Sequence, residues 1–288
     1  MTGASDEQPN VTQLVRNHGW RQGSILTQEH AAQVIPYAPD MIRIIPTEDL
    51  LIVVSHDCDV ANPTLAIEPY IELIVAHRIP TPDGNMQHAR NSRTLHVSIS
   101  SGETEVEEHL ELRSFERFFA PRELMASSAP TGELSPEAKR ALGRWLANRY
   151  QRPAFPDAFN ERLFARSNRR HARKAQDAFK NPDIGWLTTG VYLQLEPEGE
   201  LPEEESYIVR VVATMRSSDY VNPSSKEAVE RQLLKFAAAL DETPGISVED
   251  SVVVSDAEFS IEDVATSLRF DFDFVSLRSG EDTALPPG

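Results

Sequence analysis

Cysteine is nearly absent from this chain, Cys58 being the only one. A lone thiol excludes an internal disulfide, Cys-x-x-Cys chemistry and a Cys/His zinc pattern, and it fits a reducing compartment. Long hydrophobic runs are also missing. The apolar stretches are strand-sized, well short of the roughly 20 residues a spanning helix needs, and the first residues lack a basic-then-apolar signal pattern. These absences lead us to expect a cytoplasmic protein with no membrane partner. The third scarcity is positive charge: 28 Lys and Arg stand against 45 Asp and Glu, a net charge of −17. Such a surface cannot wrap nucleic acid on every side.

What positive charge there is lies in one place. Residues 113–181 hold 15 of the 28 Lys and Arg but only 7 of the 45 Asp and Glu. A polyanion such as nucleic acid would therefore meet the middle of the chain, while the acidic C-terminal part could receive a basic protein partner or dock on the middle from within. With 288 residues, 40% of them hydrophobic, the chain can bury one large core or two modest ones.

The pattern along the chain reads as α+β. Residues 1–15 are polar and expected to fray. Residues 16–115 read as a small, mostly β, barrel-like domain. Its strands are Gly23–Leu26, Leu50–Val54, Pro69–Ala76 and Arg93–Ile99, separated by Pro-rich or Asp-Gly turns, and closure would cover the edges. Residues 116–182 read as a basic helical segment. Ser135-Pro136 starts one helix, and a second is expected from Asp157 toward Lys180. Residues 183–278 read as an antiparallel sheet with one packed helix: strands 186–195, 207–215, 247–254 and 267–277, and a helix after Asn222-Pro223 with Ser224 and Glu227 in capping-box spacing. Residues 279–288 are expected to form a flexible tail.

The chemistry concentrates at Leu50-Leu51-Ile52-Val53-Val54-Ser55-His56-Asp57-Cys58-Asp59, where a β-branched run delivers ionisable groups at its exit. Three readings compete. In the first, Ser55, His56, Asp57 and Asp59, joined by Glu72 from the neighbouring strand, form an acid–base site, and Asp57, Cys58 and Asp59 ligate a metal such as Mg²⁺ or Mn²⁺. In the second, Ser55 and the aspartates cap a turn and Cys58 packs as a small hydrophobe. The third, Cys58 as nucleophile, is chemically poor because the flanking carboxylates disfavour the thiolate. Arg162, Arg166, Arg169, Arg170, Arg173 and Lys174 recur at helical spacing and could neutralise phosphates; a solvated face balanced by Glu203, Glu204 and Glu205 is the alternative. His77, His88, His96 and His171 stand singly, without ligand spacing.

The order Gly23-Ser24-Ile25-Leu26, then Leu51-Ile52-Val53-Val54-Ser55, then Tyr70-Ile71-Glu72-Leu73-Ile74-Val75 resembles the opening of the MazF/PemK-like barrels. The Ser-x-x-Cys-Asp ending at Ser55–Asp59 is also similar to that of uncharacterised bacterial proteins encoded among phage-defence genes. The resemblance covers residues 20–80 and implies a small barrel there. It also implies a defence or toxin-like component acting on nucleic acid. The contrasting expectation from the charge split is a non-catalytic interaction module whose acidic surface takes a basic partner.

Overall fold

The computed structural model describes residues 10–100, 107–151 and 155–272. It divides into two compact units. One comprises the chain up to Pro80 together with Val97–Gly143; the other comprises Thr81–His96 and the chain from Arg144 onward. The fold is α+β, as expected, but this division differs from the three segments drawn from the sequence. Among the described residues no helix is long and apolar enough to cross a membrane.

In the first unit the elements are α1 (Val11–Asn17), β1 (Ser24–Ile25), α2 (Gln28–Val34), β2 (Leu50–Val53), α3 (Asp57–Val60), β3 (Tyr70–Ile79), β4 (Thr94–Ser100), β5 (Glu107–Pro121), β6 (Gly132–Glu133) and the start of α4 (Pro136–Gln151). The sheet runs β4-β5-β3-β2-β1-β6 and curls into a half-barrel. Strand β2 lies inside it, antiparallel to β1 at Ile25↔Ile52 and to β3 at Leu51↔Val75. Alternate residues of β2, β3 and β5, namely Leu51, Val53, Ile71, Leu73, Val75, Phe118 and Ala120, build one core with Val15, Trp20 and Val34. Burial of such side chains, worth about 1.5–3 kcal/mol each, anchors β2 and hence everything at its exit.

Three expectations fail in this unit. Part of the supposedly frayed N-terminus is α1, started by a capping box in which Asn10 and Gln13 exchange side-chain and backbone hydrogen bonds; residues 1–9 lie outside the described set. The Pro-rich connection contains α2, capped by Thr27. The β domain does not end at residue 115, because β5 continues to Pro121. Its inward row of Leu110, Leu112, Ser114, Glu116, Phe118 and Ala120 is buried throughout, and the two polar members at its centre hide the alternation from a sequence pattern.

The second unit contains the rest of α4, then α5 (Asp157–Phe164), α6 (Arg169–Asp177), α7 (Pro182–Leu187), β7 (Thr188–Glu196), β8 (Tyr207–Met215), α8 (Ser217–Tyr220), α9 (Pro223–Asp241), β9 (Ile246–Ser255), α10 (Ile261–Ala265) and β10 (Leu268–Arg269). Its sheet order is β10-β7-β8-β9. The expected antiparallel sheet is corrected at one pair: β8 and β9 run parallel. The physical cause is the 19-residue α9 between them, which carries the chain back along the sheet so that β9 restarts in the direction of β8. The cap of α9 is Asn222, whose side chain accepts from the Ser224 and Ser225 N–H groups, rather than a Ser224–Glu227 box.

Three more boundaries move. The helix expected from Asp157 to Lys180 breaks at Ala165, which is extended (φ −50°, ψ 147°). Trp186 belongs to α7 and not to a strand. Among the described residues of the expected strand 267–277, ladder pairing is confined to Leu268–Arg269; Phe270 and Phe272 instead donate their N–H groups to the Val191 and Arg90 carbonyls and plug the core with Phe179 and Phe236. Residues 273–277 and the tail at 279–288 lie outside the described set. Segment Thr81–His96 joins this unit through Gly84, where a Cβ would sit 2.2 Å from the Phe179 carbonyl oxygen and 2.5 Å from that of Asn181.

Candidate functional site

The exit of β2 is built by hydrogen bonds rather than by convergence of side chains on open space. The Ser55 hydroxyl accepts from the Glu72 N–H at 2.7 Å and ties the exit to β3. His56 is the N-cap of α3, its Nδ1 accepting from the Cys58 N–H at 3.3 Å. The Asp57 carboxylate accepts from the Gln22 N–H at 2.7 Å, and the Gln22 side chain donates to the Val54 carbonyl at 2.9 Å. Behind α3 the buried Arg122 donates from Nη1 to the carbonyls of Asp59, Val60 and Asn62 at 2.8, 2.9 and 2.8 Å, taking up the free carbonyls at that helix end.

Of the groups expected to form a metal or acid–base site, His56, Cys58 and Asp59 come together at α3, while Asp57 and Glu72 are turned to other partners. Glu72 faces Arg117, with 3.1 Å between Oε1 and Nη1. Burial pushes its carboxyl above the usual range, and Arg117 opposes that shift. Cys58 is exposed, and its thiol donates to Asp59 Oδ1 at 3.2 Å while lying 3.0 Å from His56 Nδ1. The hydrogen bond to Asp59, then desolvation, pushes the thiol further from ionisation. Among the described residues no group of three or more His, Cys, Asp or Glu is arranged to hold a metal ion. The expected Asp57–Cys58–Asp59 ligand set for Mg²⁺ or Mn²⁺ is not assembled in this arrangement. Asp57 is turned to Gln22, while Cys58 and Asp59 bond each other on the outside of α3. The turn-capping alternative describes Ser55 and Asp57; Cys58 is not the packed hydrophobe that reading expected.

Comparison with known proteins adds nothing to this geometry. No family model, no curated protein and no solved structure matches the chain.

The six basic residues expected on one helix divide between α5, α6 and the turn joining them. Arg162, on α5, is a carbonyl clamp. It donates to Glu205, Gly245, Leu201 and Pro202 and lies over the Tyr207 ring at 4.9 Å. It thus holds the acidic loop by its backbone, leaving the carboxylates of Glu203, Glu204 and Glu205 exposed and without ion pairs among the described residues. Arg166 opens the intervening turn, and its side chain lies outside the described set. Lys174 pairs with Glu242, which also takes His171 at 3.1 Å. Arg169, Arg170 and Arg173 are exposed on α6 while Ala172 and Ala175 face the core. Among the described residues these three arginines have no carboxylate partner.

Sequence patterns missed two constellations. One is the set of buried clamps: besides Arg122, Arg90 donates to the Gly84 and Gly185 carbonyls, and Arg269 to those of Ala89, His88 and Thr189. His88 sits in a left-handed turn (φ 51°) beside Arg90 and Arg216. Burial, reinforced by those cations, lowers its pKa to about 3 and keeps it neutral. The other is Asp49–His77–Glu116, three residues from separate segments with no shared spacing to betray them.

Proposed function

We propose that this protein binds nucleic acid through the phosphate backbone, with Arg169, Arg170 and Arg173 of α6 as the contacting residues. The observation that carries the reading is that these guanidinium groups share one exposed helix face and have no carboxylate partner among the described residues, in a molecule of strong negative charge. Their arrangement disfavours the isolated helix. Arg169 and Arg173, and Arg170 and Lys174, are like charges at i,i+4, and the first turn of α6 holds no acidic residue to match the helix dipole. Such a cost is retained where a bound anion offsets it. The reading is of binding without cleavage at Ser55–Asp59, since the Ser55 and Asp57 oxygens already serve backbone N–H groups and Asp59 accepts from the Cys58 thiol. Its setting, a bacterial defence or toxin-like component, rests on the resemblance of residues 20–80.

The test is fluorescence anisotropy with labelled duplex and single-stranded oligonucleotides over a salt series. Three phosphate contacts predict a log–log slope of about −2.7 on duplex. The triple change of Arg169, Arg170 and Arg173 to Gln should bring the slope near zero. Absence of salt-dependent binding by the unaltered protein at low ionic strength would remove the reading. The exposed Glu203–Glu205 loop then supports the second one, an interaction module whose acidic surface takes a basic protein partner.

A further inference from the structure

Strand β5 does not pair with β3 continuously. Ile74 faces Arg117 and Ala76 faces Leu112, so Arg113, Ser114, Phe115 and Glu116 stand opposite Val75 alone. This wide bulge leaves Phe115 63% exposed while Glu116 is turned inward. Bulges end ladder pairing and re-aim side chains, and something else must fix them. Here it is His77. Its Nδ1 lies 2.7 Å from Asp49 Oδ1 and its Nε2 2.9 Å from Glu116 Oε2.

An ionised carboxylate accepts hydrogen bonds and cannot donate. Both ring nitrogens therefore carry protons when both bonds form, and the ring is an imidazolium between two anions whose side chains are 6% and 8% exposed. The surroundings are polar on each side. Asp49 is held by the Ile45 N–H at 2.7 Å. Arg113 lies 3.6 Å from the other oxygen of Glu116 and 2.6 Å from Glu111, which pairs with His77 in the β3–β5 register. The next residue, Arg78, pairs with Glu108 and donates to the Glu48 carbonyl.

We propose that His77 is a pH-sensitive latch on the β5 bulge: protonated, it ties Arg113–Glu116 to the β3 strand and to the Ile45–Asp49 turn, and deprotonated, it releases them. Loss of the ring proton leaves one carboxylate without its donor and sets two nearly buried anions across a neutral ring. On the β3 side the ladder that would resist them is interrupted between Ile74 and Ala76. Burial of the imidazole works against its protonation, but the bonds to Glu116 and Asp49 outweigh it and raise the His77 pKa above the ordinary value. The sign follows. A raised folded value means the latch is complete below about pH 6.5, the ordinary imidazole value, and is lost as pH climbs through the raised value.

The experiment is hydrogen exchange of the full chain between pH 6 and 10, corrected for intrinsic rates, with the His77 ring followed by NMR. Protection in residues 113–116 should fall as the His77 signal titrates, about tenfold for each unit by which its pKa is raised. His77→Gln should abolish the pH-dependent step. If that variant does not fold, Glu116→Gln removes one of the two anions and should move both the ring titration and the protection step to lower pH together. A ring that titrates at or below the ordinary value, or bulge protection that ignores the titration, would overturn the proposal.

Discussion

At the scale of single residues, arginine here serves the backbone more than it serves carboxylates. Arg90, Arg122, Arg162 and Arg269 each donate to two or more main-chain carbonyls. A guanidinium suits that task because its donors are fixed in a planar fork and it stays charged. Asp57 and Arg122 both stabilise the exit of β2, but with different stakes. Asp57→Ala removes one exposed acceptor and should lower stability by about 0.5–2 kcal/mol, as loss of a cap does. Arg122→Met strands three carbonyls behind α3 and should cost about 3 kcal/mol or more. Urea melts measure both, and equal losses would mean that Arg122 does not hold the turn. Neither change should alter oligonucleotide affinity; a large loss with Asp57→Ala would return that carboxylate to a binding role.

The Ser55–Asp59 stretch shows how much of a site can be read ahead. Its place at the end of a buried strand was legible, because Leu51, Ile52 and Val53 leave no other environment for themselves. The fate of its polar atoms was not. The partner of Asp57 is Gln22, 35 residues away, and that of Ser55 is the Glu72 N–H, 17 residues away. Spacing says nothing about partners chosen by sheet register.

At the scale of elements, the break at Ala165 decides the division of labour among the basic residues. On one continuous helix from Asp157 to Lys180, Arg162 and Arg169 would share a face. With an extended residue between two helices, Arg162 turns to the Leu201–Glu205 loop, while Arg169, Arg170 and Arg173 of α6 are exposed without a carboxylate partner among the described residues. Here stability and binding should oppose each other. Arg169→Glu places an acidic group at the first position of α6 and removes a like-charge pair with Arg173, so it should raise stability by about 0.3–1 kcal/mol. Under the proposed function the same change weakens nucleic-acid binding. Thermal melts and anisotropy on this one variant check both signs; loss of stability with unchanged affinity would contradict the role given to the helix.

For the whole molecule, charge governs behaviour that no single contact controls. A net charge of −17 repels itself in the compact state, and salt screens that repulsion. Raising sodium chloride from about 0.02 to 0.2 M, which shortens the Debye length from roughly 20 to 7 Å, should therefore raise the melting temperature. Calorimetry across that series measures it, and a fall would mean that attractive ion pairs outweigh the excess of anions.

The sequence by itself determined that Leu50–Val53, Tyr70–Ile79 and Tyr207–Met215 become buried strands and that Ser135-Pro136 starts a helix, since transfer of apolar groups from water and satisfaction of helix ends are local demands. It also determined where positive charge lies along the chain. Only the tertiary structure decided that β9 runs parallel to β8, that β5 passes through the supposed start of the helical segment, and that Asp49, His77 and Glu116 meet. It likewise decided which arginines face water and which grip carbonyls. Those outcomes depend on pairings between distant segments, whose cost in chain entropy is met by a shared core and not by any property of the residues that end up in contact.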